Sequence, residues 1–151
     1  MPTYWEDVEV GKVYLVGGTS LSMNEVCSFA ELSGDKHPIH IDPFYAAKSE
    51  FGQCVAHGSW GVARALGLFF RIEEFKQTAI ALLDIRNWSF RKPVYVGDRV
   101  DLEMVVADKR LTSKGRGIVD RRMTLLNQHG DPVQSGYMAL LVKRRADVAA
   151  I

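Results

Sequence analysis

The sequence predicts an α+β fold in which an antiparallel sheet curls round one long apolar helix, and three observations lead there. The segment HGSWGVARALGLFFRI, His57 to Ile72, carries only Arg64 and Arg71 as charges and sets apolar residues on nearly every face, so it reads as a helix buried on all sides. Four strand-like segments follow it, with turn-rich joints between the later ones. One strand-like segment and two short helical ones precede it. A helix this apolar must be wrapped by something, and strands are what the rest of the chain supplies.

In chain order, KVYLVGGTS (Lys12 to Ser20) alternates weakly and holds β-branched residues, which predicts a strand weakened at its end by Gly17 and Gly18. In SMNEVCSFAELSG, Ser22 is followed three residues later by Glu25, the spacing of a capping box. Val26, Phe29, Ala30 and Leu32 then form an approximate helical stripe, and Cys27 beside it is expected to be buried. Gly34 stops that helix and delivers the chain to Asp35. DPFYAAKSEFG predicts a second short helix, capped by Asp42, opened by Pro43 and ended by Gly52. Beyond the apolar helix, Ala79 to Phe90 is strand-like. DRVDLEMVV alternates most cleanly: Val100, Leu102, Met104 and Val106 face one way, Arg99, Asp101 and Glu103 the other. GRGIVDRRMTLLN and VQSGYMALLVKRR are two more strands, and RLTSKG and NQHGDP are hairpin joints.

The 151 residues suit a single domain spanning 1–151, long enough to bury a core. Lys plus Arg number 19 and Asp plus Glu 18, so the near-zero balance gives no global electrostatic case for a nucleic acid partner. The apolar helix is too short for a comfortable membrane span, and no membrane partner is expected. Cys27 and Cys54 have no zinc-ligand spacing and are too few for a disulfide framework, so free thiols in a reducing cytoplasm are expected. The start, MPTYWEDVEVG, is acidic without a long apolar run, unlike a signal peptide.

The chemistry concentrates in SGDKHPIHID, Ser33 to Asp42. Asp35, His37, His40 and Asp42 are all metal-ligand types, yet Asp35-x-His37-x-x-His40 is not a standard zinc spacing, and no metal is expected. An acid–base reading fits better. Adding water across a C=C bond conjugated to a carbonyl needs a group to activate water, a group to exchange a proton at the α-carbon and a donor for the carbonyl oxygen. A carboxylate and an imidazole sharing one water can do the first two. A backbone N–H at a helix N-terminus can do the third, and Gly58, opening the apolar helix without a side chain, lets an oxygen approach.

SGDKHPIHIDPFYAAKSEFGQCVAHG resembles the hydratase motif of the MaoC-like dehydratases, which include (R)-specific enoyl-CoA hydratases. The family pattern there is roughly S/T-G-D-x-N-P-hydrophobic-H-hydrophobic-D, an Ala-rich helix, then H-G. SFRKPVYVGD, Ser89 to Asp98, is similar to the family's F-x-x-P-V-x-x-G-D strand entry. The likeness covers about Asn24 to Val106, with a compatible strand pattern to Lys143. It implies the hot-dog fold, a homodimer or dimer of dimers with a joined sheet, Asp35 and His40 as the catalytic pair, and a Gly58 N–H on the thioester carbonyl. The reaction implied is reversible hydration of a trans-2-enoyl-CoA to a (3R)-hydroxyacyl-CoA, with no cofactor beyond the thioester substrate; an acyl-carrier protein could present the same arm.

The chain departs from that pattern at His37, where the family has Asn, and at Ser59-Trp60, where it often has Met-Leu. Trp60 is expected to shape the acyl pocket beside Ser59. Ala63 and Leu66 stand near where some members carry a hydroxyl. His37 reads as a loop hydrogen-bonder, Asp42 as a helix cap, His57 as a structural group orienting the loop, and Cys54 as a thiol without a base. Three basic groups, Arg91-Lys92, Arg121-Arg122 and Lys143-Arg144-Arg145, compete for coenzyme A phosphates or are solvated strand ends; Arg91 and Lys92, beside the matched PVYVGD, are the choice. Rival readings are a branched or dicarboxylic enoyl-CoA hydratase, a thioesterase and a non-catalytic acyl-CoA-binding subunit.

Overall fold

The computed structural model describes residues 1–148. Its sheet holds β1 (Val13–Val16), β2 (Ala79–Phe90), β3 (Asp101–Leu111), β4 (Gly117–Leu126) and β5 (Pro132–Val142), in spatial order β1-β3-β4-β5-β2 with every pair antiparallel. The helices are α1 (Met23–Ser33), α2 (Pro38–Ile41), α3 (Pro43–Ala47), α4 (Gly58–Phe69) and α5 (Arg145–Val148). The joints at 111–117 and 126–132 close the hairpins that their turn residues predict. β2 pairs with β5 rather than with its sequence neighbour β3, so it forms one edge of the sheet while β1 forms the other.

The helix and sheet meet through alternation. Val100, Leu102, Met104 and Val106 are all buried to within 1% exposure, as the two-residue period requires. With Val119, Met123 and Leu125 of β4 they form the floor on which Trp60, Ala65, Leu68 and Phe69 of α4 pack. Each Val, Leu, Met or Phe among them contributes roughly 1.5–3 kcal/mol by leaving water.

Four expectations change. The strand at the start is β1, Val13–Val16, and not Lys12 to Ser20. The chain turns at Gly17 and Gly18, where a side chain at Gly18 would overlap the Val100 carbonyl, and it rejoins the sheet only at a Ser20–Arg99 bridge. α1 begins as predicted, with the Ser22 side chain accepting the Glu25 N–H, but its inward stripe is Val26 and Ala30. Cys27 and Leu32 lie about 100° and 200° of helical rotation off those positions; Cys27 is exposed and Leu32 is 85% exposed. α4 is not buried all round, because the sheet covers one side only: Ser59, Ala63, Gly67 and Phe70 form an exposed line at its back.

Arg121 is the fourth. It is neither a solvated strand end nor a phosphate contact, because its place in the β4 alternation turns it into the core beside Val119 and Met123, at 0% exposure. Its Nε donates to the Met138 carbonyl at 3.2 Å, and its guanidinium lies 4.4 Å from the Phe69 ring centroid. Nη1 and Nη2 have no protein acceptor among the described residues, and burial pushes the group's pKa down to about 10. The third basic group is also structural. Arg144 pairs with Glu6 and Arg145 with Asp7, and the two ion pairs pin the chain's start to the sheet.

Asp120 attracts this cation only through space, and a buried cation with no carboxylate bonded to it costs more than an apolar side chain of similar length. Arg121→Met is therefore expected to raise stability by about 1 kcal/mol or more, read as a higher midpoint in urea with an unchanged slope; a lower midpoint would refute it.

Candidate active site

The site is assembled by two helix ends. α1 stops at Gly34, whose φ of 79° is open to glycine, and its N–H donates to the Ala30 carbonyl. The chain then reverses into Asp35. Asp35 Oδ1 accepts the His37 N–H at 3.3 Å, which leaves Oδ2 turned toward His40. His37 Nδ1 accepts the Ile39 N–H at 3.1 Å and so caps α2, with Pro38 in the first turn. The imidazole thus performs the side-chain capping that an Asn would supply at this place. α2, a single helical turn absent from the sequence reading, raises His40 over the loop. Asp42 caps α3 as predicted, accepting from Phe44 and Tyr45.

His40 Nδ1 lies 2.7 Å from the Val55 carbonyl oxygen. A carbonyl only accepts, so Nδ1 carries the proton and Nε2 of the neutral ring is bare. That Nε2 stands 3.9 Å from Asp35 Oδ2. The separation is too long for a direct hydrogen bond and suits two acceptors facing one water. The carboxylate side chain is 55% exposed and the imidazole 13%. Burial of the ring lowers the His40 pKa, with the bond to Val55 opposing and the neighbouring His57 adding to the fall.

His57 holds the two helix ends together. Its Nε2 donates to the Asp35 carbonyl across 2.8 Å, its ring stacks on His40 with centroids 3.8 Å apart, and Phe29 of α1 packs on it at 5.0 Å. It is also the residue from which α4 starts, with Gly58 in the first position. A Cβ at Gly58 would lie 2.8 Å from the Phe90 ring, so the backbone there comes as close to the sheet as glycine permits.

Asp35, His40 and His57 offer ligand atoms within 4.8 Å of one another. Their arrangement suits a metal poorly. One nitrogen of each ring is committed to a backbone carbonyl, and stacked rings point their remaining lone pairs along parallel planes instead of at one ion.

A cleft of about 390 Å³ opens beside His40, with Gly58, Phe90, Arg91, Lys92 and Gln134 also among its lining. Of the expected residues, the fold brings Asp35 and His40 together and sets His40, Gly58, Arg91 and Lys92 on the cleft, whose lining does not include Asp35. Ser59 and Trp60 are not on it. Ser59 is exposed at the back of α4, and the Trp60 indole is buried beside a separate apolar groove with Phe29 and Leu32, since each helical residue past Gly58 turns the chain by about 100°. Arg91 donates to Ser135 and Lys92 pairs with Asp131 at 2.9 Å. The sequence reading missed Phe90 and Gln134. The available signal was a polar residue in the inward row of β5, Gln134, Gly136, Met138, Leu140 and Val142.

A five-stranded antiparallel sheet packed against one long helix, with a carboxylate and an imidazole beside that helix's N-terminus, defines a protein of the hot-dog fold. A model of the MaoC like domain matches residues 9–126, and the chain belongs to that family. It is 33% identical over 106 residues to a 3-hydroxybutyryl-CoA dehydratase of Methylorubrum extorquens, covering 70% of this chain and 64% of that protein. The match therefore spans less than two thirds of that relative's length. The structure of an (R)-hydratase from Pseudomonas aeruginosa superposes with a TM-score of 0.80 at 26% identity, covering 94% of this chain and 86% of that one. A Mycobacterium tuberculosis protein described as a double hot-dog fold superposes at 0.83 and 20% identity, covering 97% of this chain and 46% of its own, which shows the fold. Other relatives include an (R)-specific enoyl-CoA hydratase of Aeromonas caviae, 35% identical over 86 residues, which covers 57% of this chain and 62% of that protein.

The lowered pKa has a direct readout. His40 should titrate below its ordinary 6.5 in a histidine NMR pH series, staying neutral until the pH falls under that value. A midpoint above 6.5 would mean that the Asp35 charge outweighs burial.

Proposed function

We propose that this chain is an acyl-thioester hydratase/dehydratase acting on a trans-2-enoyl-CoA and its (3R)-hydroxyacyl-CoA. The observation that carries this is the 3.9 Å spacing of Asp35 Oδ2 and His40 Nε2, two acceptors of which His40 lines the same cleft as Gly58 at the start of α4. One water can donate a hydrogen to each and keep its lone pairs for C3 of the enoyl group. As the C3–O bond forms, one partner takes a proton from the water and then delivers that same proton to C2, while the other holds the remaining O–H in place. The negative charge that builds on the thioester oxygen meets the Gly58 N–H at the positive end of the α4 dipole. The dehydratase direction is the same path reversed. The balance needs water alone, so no metal or redox cofactor is assigned.

Arg91 and Lys92 on the rim supply cations for the coenzyme A phosphates; an acyl-carrier protein's phosphopantetheine arm would enter by the same cleft. The functional unit is proposed to be a homodimer joined at β2. That edge strand exposes Ile80, Leu82, Leu83 and Ile85, more apolar surface than a free edge usually carries.

Crotonyl-CoA mixed with the protein should lose its enoyl absorbance without release of free thiol. Asp35→Asn and His40→Gln should each cut the rate by about 10²–10⁴-fold while leaving the melting midpoint near the parent's. Thiol release would reassign the cleft to thioester hydrolysis. Binding without turnover, across longer, branched and dicarboxylic enoyl-CoAs as well, would make the chain a binding subunit.

A further inference from the structure

Gln134 is 3% exposed, sits in the inward row of β5 and lines the cleft that Gly58 and His40 share. The fold goes to unusual lengths to place it. Its cross-strand partner is Phe90, the ring that lies on Gly58. Its amide lies flat on α4 at Gly61, where any Cβ would overlap it, so the helix has a glycine there and one turn earlier at Gly58. Its Oε1 accepts the Trp88 indole N–H at 3.0 Å. Trp88 reaches that position through an irregularity between Arg86 and Ser89, where Asn87 takes a φ of 52°. Gly136 makes the room, since a Cβ there would come 2.7 Å from the Trp88 ring.

Such bulges re-aim a side chain beside a site. Here the re-aimed indole fixes which way round the glutamine amide lies. With Oε1 held by a donor, Nε2 is the free end. Nε2 has no protein acceptor among the described residues and is not among their fully enclosed polar atoms, so it is open to solvent. A buried amide usually uses all of its hydrogen-bonding capacity within the protein, so an NH₂ left over on a cleft wall points to a partner that arrives with the ligand.

We propose that Gln134 Nε2 is a second hydrogen-bond donor to the acyl thioester, sharing its carbonyl oxygen with the Gly58 N–H. This rests on the hydratase reading of the same cleft. The donor is neutral and held in place by Trp88 and Gly61, so it needs no reorganisation as negative charge builds on the oxygen. It strengthens in the transition state and contributes chiefly to kcat.

Gln134→Leu keeps the size and removes the donor; Gln134→Glu keeps an acceptor for Trp88 and sets a carboxylate against the thioester oxygen. With a turned-over enoyl-CoA, Gln134→Leu should lower kcat by on the order of 10²-fold with little change in KM, and Gln134→Glu should lower it further. Trp88→Phe, which frees the amide to flip, should give a smaller loss of the same kind. The bond itself is read by infrared difference spectroscopy on bound butyryl-CoA, which is saturated and cannot react. Its thioester carbonyl stretch should move to lower frequency on binding to the parent and return part of the way in Gln134→Leu, with circular dichroism confirming that both are folded. Parental kcat in a folded Gln134→Leu, or the same carbonyl frequency in both proteins, overturns the proposal. If the parent turns over no enoyl-CoA, the hydratase reading fails, and the infrared comparison still decides whether Gln134 touches a bound thioester.

Discussion

The hydrogen bond from His57 Nε2 to the Asp35 carbonyl, 2.8 Å long, ties together parts of the chain 22 residues apart. One end of it is the reversal after α1, and the other is the start of α4. Because His57 also stacks on His40, this single ring fixes three positions at once: the backbone of Asp35, the face of His40 and the origin of the Gly58 N–H. All three must hold to within a fraction of an ångström if a carboxylate, an imidazole and a helix N-terminus are to address one small molecule. The ring is 2% exposed, so water does not compete for its bonds.

The placement of α4 is the second constraint. An α-helix over a sheet normally stands about 10 Å from it, spaced by side chains on both. At its first turn α4 presents Gly58 and Gly61 instead, and the sheet answers with Phe90 and Gln134. The helix end therefore sinks toward the sheet while its C-terminal half rides on Ala65, Leu68 and Phe69. The cleft lies where the backbone is barest.

Much of this was legible from residue types. The inward row from Val100 to Val106 follows from strict alternation, and the Ser22 and Asp42 caps follow from side chains short enough to reach the next turn's N–H groups. Asp35 alone reads as a polar residue after a helix cap, and it was the motif likeness that paired it with His40. What could not be read was direction in space. Cys27 and Leu32 are apolar neighbours of a buried stripe, yet a rotation of about 100° to 200° sends them to solvent. Trp60 is next but one to Gly58 and still faces another groove. Arg121 is invisible to any rule based on charge, since only the parity of its place in β4 turns it inward. Gln134 depends on a bulge in β2, 46 residues earlier in sequence, which no local pattern reports.

β2 is a 12-residue edge strand with apolar side chains on both of its faces. Its sequence, AIALLDIRNWSF, holds no proline or lysine, the residues that commonly blunt an exposed edge. Through its first seven residues it is interrupted only by Asp84, whose carboxylate is turned back onto the Ala139 N–H. An edge so built is a template for any other strand it meets. Solubility and association are then one property of this protein: either a specific surface covers β2 soon after folding, or non-specific pairing competes for it. If a second copy of the chain is what covers β2, as proposed above, dilution would uncover the edge as well as slow non-specific pairing, and apparent stability would become a function of the protein's own concentration.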